Sequence, residues 1–278
     1  MTTTLKLWFD SLRATLKNVR ALLILIVLYA LLLVSSYFFI STREATVGQV
    51  LVTYALLFLV PLEFLLLQAV ILEFARSHKF ALKQIIGNAI RLFIVTIPIV
   101  IIGAFVWWLM NKLQARFPAP PAPVIFAPTP PKPQPIHWAT LLITTLRFVL
   151  FGVAFPLATI HLWIEASARD VRASFAAGFK TIFGTIGHAL SRAFTSDSVF
   201  VYGLGLILFV LGPYLFLFVP ITIKGNKTDF AVFILRVVLA FAFTLIGWVV
   251  TIVTLARANP HRETAEIKST ATVAESPA

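Results

Sequence analysis

Residues 21–40 read ALLILIVLYALLLVSSYFFI, twenty positions without a charged side chain. An α-helix rises ~1.5 Å per residue, and a hydrocarbon core ~30 Å thick is crossed by about 20 residues of it. Five more stretches share this apolar character, at 48–72, 90–110, 138–164, 199–219 and 230–255. Unpaired peptide groups cannot face lipid, so helices, which satisfy their own backbones, are the form these stretches take. The expected fold class is all-α: a polytopic helical membrane protein with six transmembrane helices.

Composition points the same way. With 59% hydrophobic and 12% charged residues, a water-soluble domain of 278 residues would lack the polar surface to cover itself. The absence of cysteine excludes disulfides, thiolate catalysis and cysteine-ligated zinc. A basic region followed by an apolar run also opens secretory signals, but their apolar region spans about 7–15 residues and ends in small side chains. Here Phe38, Phe39 and Ile40 occupy the place of a cleavage site, so 21–40 is read as the first span.

The net charge of +12 is distributed by side. Fifteen of the 23 Lys and Arg fall in segments on one predicted side, among them Arg20, Arg76, Arg91, Arg192 and Arg257. Six, such as Arg43 and Lys112, fall on the other, and Arg147 and Arg236 lie inside apolar stretches. The positive-inside rule then places both termini in the cytoplasm, in an inner (plasma) membrane crossed six times. This distribution explains the basic charge without nucleic acid, whose recognition needs a basic groove with stacking aromatics.

Short amphipathic segments precede the odd-numbered spans: Leu12, Leu16 and Val19; Leu82, Ile86, Ala89 and Ile90; Phe175, Phe179, Ile182, Ile186 and Leu190. Their other faces carry Arg13, Lys17 and Arg20, then Lys79 and Lys83, then Arg172, Lys180 and Arg192. These cations are the expected contacts to lipid head groups, with the apolar faces sunk in the interface. Ala75-Arg76, Ala168-Arg169 and Ala256-Arg257 close the even-numbered spans. The organisation reads as one membrane domain, 1–257, of three units (interfacial helix, ascending span, descending span) at about 11–76, 81–169 and 174–257. A proline-rich outer loop at 117–135 and a disordered cytoplasmic tail at 258–278 complete the chain.

Glu63 is the leading polar candidate, since it lies deep in the second stretch, two residues after Pro61. A carboxylate at that depth must be paired across the bundle, face an aqueous cavity, or be protonated. Arg147 and Arg236 stand 22 and 21 residues before Arg169 and Arg257 and occupy matching depths toward the outer leaflet. A long side chain there snorkels to phosphate, or, for Arg147, turns inward to an anionic partner such as Glu63. His161 and Glu165 are four apart and share a helix face. Two potential ligands do not make a metal site; no metal or other cofactor is expected.

Enzyme signatures are missing: there is no Gly-rich phosphate loop followed by Lys-Ser/Thr and no Gly-x-Ser-x-Gly elbow. The plan of an amphipathic segment with two spans, occurring three times, resembles the bacterial membrane domain fused to some glycerophosphoryl diester phosphodiesterases and related uncharacterised six-span proteins. Ser11-Leu12-Arg13-Ala14-Thr15-Leu16-Lys17 and Ser174-Phe175-Ala176-Ala177-Gly178-Phe179-Lys180 carry the resemblance, which covers about 5–257. No phosphodiesterase domain follows Arg257, so the resemblance implies a membrane architecture and no catalytic residue. The expected role is a non-catalytic integral membrane module that contacts anionic lipids or an unidentified membrane-protein partner. The alternative is a carrier of a small or lipidic solute with a cavity near Glu63.

Overall fold

A computed structural model describes residues 2–43, 46–77, 82–118, 137–168, 179–220 and 226–258. The chain is an all-α polytopic membrane protein, as its hydropathy requires. Eight helices run through the described residues: α1 (Thr2–Lys17), α2 (Val19–Ser41), α3 (Val47–Ser77), α4 (Leu82–Arg116), α5 (Trp138–Ala168), α6 (Phe179–Ala193), α7 (Ser196–Phe218) and α8 (Asn226–Arg257). All but α1 and α6 are long and apolar enough to cross a membrane. Most of the proline-rich stretch, 119–136, and the tail from 259 lie outside the described residues, as do Lys79, Arg169 and Arg172.

Local chemistry sets the helix ends. The Asn18 side chain accepts from the Ala21 N–H at 3.0 Å, starting α2 directly after α1. Thr195 does the same for α7, accepting from the Ser198 N–H at 3.4 Å. The second amphipathic segment differs from the expected plan of a separate interfacial helix. Gln84 to Ile90 continue without a break into the span, because nothing between Leu82 and Arg116 interrupts helical hydrogen bonding except Pro98.

The spans form three hairpins, α2/α3, α4/α5 and α7/α8. Their second members meet: α3 packs on α8, and α5 touches both. Burial is concentrated at one end, here termed basal. Apart from Leu56, Ile143 and Ala240, the buried side chains run from Glu63 to Ala75 in α3, from Leu157 to Ser167 in α5, and from Leu245 to Leu255 in α8. Toward the distal end Leu57, Phe58 and Leu62 of α3, Leu142 and Phe148 of α5, and Phe233 and Leu235 of α8 are exposed. The hairpins lean together basally and part distally. Each amphipathic segment lies against the second member of a hairpin: the start of α4 against α3 and α6 against α5, in each case the helix before it, and α1 against α8 of the last hairpin.

Two prolines follow widened turns. Residues 149–154 and 207–211 are π-helical and end two positions before Pro156 and Pro213. Proline has no N–H and its ring clashes with the carbonyl four residues back, so the turn opens to bonds five residues apart. The Phe155 N–H reaches Leu150, and the Gly212 N–H reaches Ile207. Four residues before Pro156, the Gly152 carbonyl accepts instead from the Tyr202 hydroxyl of α7, at 3.0 Å.

The α7/α8 contact depends on glycine. A Cβ at Gly247 would stand 2.8 Å from Leu208 Cβ and 2.9 Å from the Phe209 backbone nitrogen, too close for an unshifted backbone, while Gly205 packs directly against Thr251. Small residues permit this approach where lipid supplies no hydrophobic drive between helices. Gly247→Ala is therefore expected to destabilise the detergent-solubilised protein by about 1–3 kcal/mol. Gly203→Ala meets open space on the same α7 and is expected to be neutral or stabilising by up to about 1 kcal/mol. Thermal melting compares the two, and equal stability would contradict the close approach.

Candidate functional site

Polar side chains inside the bundle are few, and in the basal half most reach a neighbouring helix. Glu63 is 7% exposed. Ser35 Oγ of α2 donates to its Oε1 at 3.0 Å, while Oε2 has no hydrogen-bond partner among the described residues. Gln68, fully buried in α3, accepts from Trp248 Nε1 of α8 at 2.9 Å. Trp163 Nε1 of α5 donates to Thr96 Oγ1 of α4, also at 2.9 Å.

Below this layer His161 and Glu165 share one face of α5, both buried. Arg192 of α6 comes to 3.5 Å from Glu165, with 25% of its side chain exposed against 2% for the glutamate. His161 Nε2 has no hydrogen-bond partner among the described residues. The group thus joins an imidazole, a carboxylate and a guanidinium from two helices. Among the described residues no three His, Cys, Asp or Glu gather closely enough to hold a metal ion.

One helix pair away, at the basal end of α3, α4 and α5, lies a cleft of about 520 Å3 lined by Glu73, Arg76, Gln84, Gly87, Asn88, Arg91 and Ser167. Arg76 donates to the carbonyls of Ile164 and Ser167, satisfying groups that the last turn of α5 leaves open. Asn88 Nδ2 donates to Glu73 Oε2 at 3.3 Å across α3 and α4. The lining of this cleft is more polar than that of the groove between α7 and α8. Hydropathy passes over it because each member reads alone as an ordinary basic or polar flank. A usable signal exists in hindsight: Glu73 and Glu165 both precede the Ala-Arg that closes a span, and Arg20, Arg91 and Arg192 each precede a fully buried residue, Ala21, Leu92 and Ala193.

Arg147 and Glu63 do not meet. Arg147 Nη2 donates to Asn111 Oδ1 at 2.9 Å, and its guanidinium lies 4.7 Å from the Trp107 ring centre, both on α4. Arg236 similarly turns to its hairpin partner, donating to the Phe216 and Val219 carbonyls near the end of α7. It closes a largely apolar groove of about 450 Å3 between α7 and α8. Arg236 thus caps the end of α7, while Arg147 rests on side chains of α4.

Of the cations expected at head groups, Arg13, Lys17 and Arg20 are exposed at the basal end. Lys83 and Lys180 lie in the first turns of α4 and α6, Lys79 and Arg172 fall outside the described residues, and Arg192 turns to Glu165. Comparison with protein-family models, with curated proteins and with solved structures finds no match to this chain.

The Glu165 and Arg192 pair yields a test. Removing one partner of a buried ion pair strands the other charge, a loss of about 3–5 kcal/mol, reduced here because Arg192 keeps contact with solvent. Arg192→Met is expected to lower the melting temperature more than the double change Arg192→Met with Glu165→Gln. Additive effects in this double-mutant cycle would show that the two side chains do not couple.

Proposed function

We propose that this protein is a non-catalytic, membrane-embedded module that contacts lipid, set in an inner (plasma) membrane with its basal end and both termini facing the cytoplasm. The observation that carries this reading is the mounting of α1. One face, with Trp8, Ser11 and Thr15, is buried, and α1 packs against α8. The other presents Arg13 and Lys17 to the surroundings, joined by Arg20 in the first turn of α2, at the level where the spans end. A helix so anchored holds its cations at the depth of lipid phosphates, where each is worth on the order of 1 kcal/mol toward anionic head groups.

The parted distal halves support the same reading. Their exposed Leu, Phe and Ile side chains offer lipid a surface between hairpins as well as around them. A carrier would need Glu63 on an aqueous path. Its carboxylate is buried against Ser35 and lines neither of the two clefts described, so the geometry favours lipid contact over solute passage.

Mass spectrometry of lipids co-purifying with the protein from a mixed membrane tests the proposal. The ratio of anionic to zwitterionic lipid is expected to fall several-fold in the Arg13→Gln, Lys17→Gln, Arg20→Gln triple variant, since each neutralised charge removes on the order of 1 kcal/mol. An unchanged ratio in a folded triple variant would overturn it.

A further inference from the structure

We infer that the groove between α7 and α8 is a discrete site for one phospholipid of the distal leaflet, with its phosphodiester at Arg236 and one acyl chain lying along α7. The inference rests on the lipid-contact reading and adds a site at the membrane surface opposite the α1 cations.

The cation comes first. Arg236 sits at the level where α7 ends: its Nε donates to the Phe216 carbonyl and its Nη2 to that of Val219. These are carbonyls that the last turn of α7 leaves without an N–H. They fix the direction of the guanidinium, but as dipoles they leave its charge standing. Among the described residues no carboxylate pairs with Arg236, and its Nη1 has no hydrogen-bond partner. A guanidinium carries five N–H donors in a planar fork that suits phosphate oxygens. At the edge of the hydrocarbon such a cation is stabilised by reaching a phosphate.

The groove supplies the place for a tail. Arg236 is the one charged side chain in its lining, and the rest is apolar side chains and the backbone of Gly212. Ile207, Leu211, Leu215 and Val219 follow one another along it at a spacing of four, all exposed. At ~1.5 Å per residue this stripe is about 18 Å long, against about 15 Å for half of a hydrocarbon core ~30 Å thick. The groove thus runs the depth of one leaflet, with Arg236 at its surface end. At Gly212 α7 has no side chain to fill the space, and the Phe243 ring of α8 closes it, 3.2 Å from where a Cβ would stand. A volume of about 450 Å3 falls within the roughly 300–1,000 Å3 range of small-molecule sites. A cation at the mouth of an apolar groove one leaflet deep matches a phospholipid. Diacylglycerol shares the tails without the phosphate, and inorganic phosphate shares the head chemistry without a tail.

The experiment is native mass spectrometry of the full chain in detergent, titrated with phosphatidylglycerol or with diacylglycerol of the same acyl chains. The wild type is expected to retain one phosphatidylglycerol more than Leu215→Trp, a substitution at an exposed position that fills the groove and leaves Arg236 and its two carbonyls in place. Arg236→Gln keeps the groove and removes the phosphate partner. Its preference for phosphatidylglycerol over diacylglycerol is expected to fall about fivefold, the weight of one charge near head groups. Circular dichroism and melting establish which variants are folded; if Arg236→Gln unfolds with the loss of the α7 cap, Leu215→Trp alone decides. Unchanged retention in folded Leu215→Trp overturns the inference, and so does an unchanged preference in folded Arg236→Gln. A two-chain species that is lost in Leu215→Trp, with no lipid retained, overturns it as well. Displacement of the bound lipid by millimolar inorganic phosphate overturns the assignment to lipid, and resistance to it supports the lipid. If the α1 triple variant loses anionic lipid while Leu215→Trp and Arg236→Gln bind as the wild type does, the lipid-contact reading stands and this site falls. The reverse result supports the site and removes the role given to α1.

Discussion

In hydrocarbon a polar side chain has no water to fall back on, so a partner on another helix or on its own backbone is strongly favoured. This constraint organises the bundle. Ser35 and Glu63 join α2 to α3, Gln68 and Trp248 join α3 to α8, Thr96 and Trp163 join α4 to α5, and Tyr202 ties α7 to the Gly152 carbonyl of α5. Each contact is worth only about 0.6 kcal/mol on average, up to about 2, in membrane proteins. Their value lies in register: apolar surfaces can slide, but a donor paired to one acceptor cannot. Other threonines, such as Thr159 and Thr254, turn to the carbonyl four residues back.

Packing follows the same division. Where polar contacts are dense, the second helices of the three hairpins are buried, and where they thin out the hairpins separate. The distal arginines fit this pattern. Arg147 and Arg236 bind within their own hairpins and add nothing between hairpins. The distal half is therefore three pairs of helices in lipid, and the basal half is a single packed body.

The spans were legible because lipid selects on one quantity, apolar length, which can be summed along a stretch without knowledge of neighbours. Glu63 was legible as an anomaly for the same reason. Its partner was not: Ser35 is 28 positions away, and Gln68 and Trp248 are 180 apart, and nothing local ties a serine or an indole to a chosen carboxylate or amide. Arg147 illustrates the limit, since its depth was readable while its direction was decided by Asn111 and Trp107 on the adjoining helix. The π-helical turns before Pro156 and Pro213 escaped for a related reason. Proline announces a missing hydrogen bond, but how the helix absorbs it depends on what stands ready to take the freed carbonyl. Glu73, Asn88 and Arg91 each read as the unremarkable flank of a span, and the cleft exists only because three helices end together.

Two basal junctions place a buried glutamate against the next amphipathic segment. At α5 and α6 the guanidinium of Arg192 stands 3.5 Å from Glu165. At α3 and α4 Asn88 donates to Glu73, and Arg76 and Arg91 line the same cleft. In both, a polar group near the end of one span is met by a side chain of the segment that follows, and such a directional contact fixes where that segment lies against the bundle.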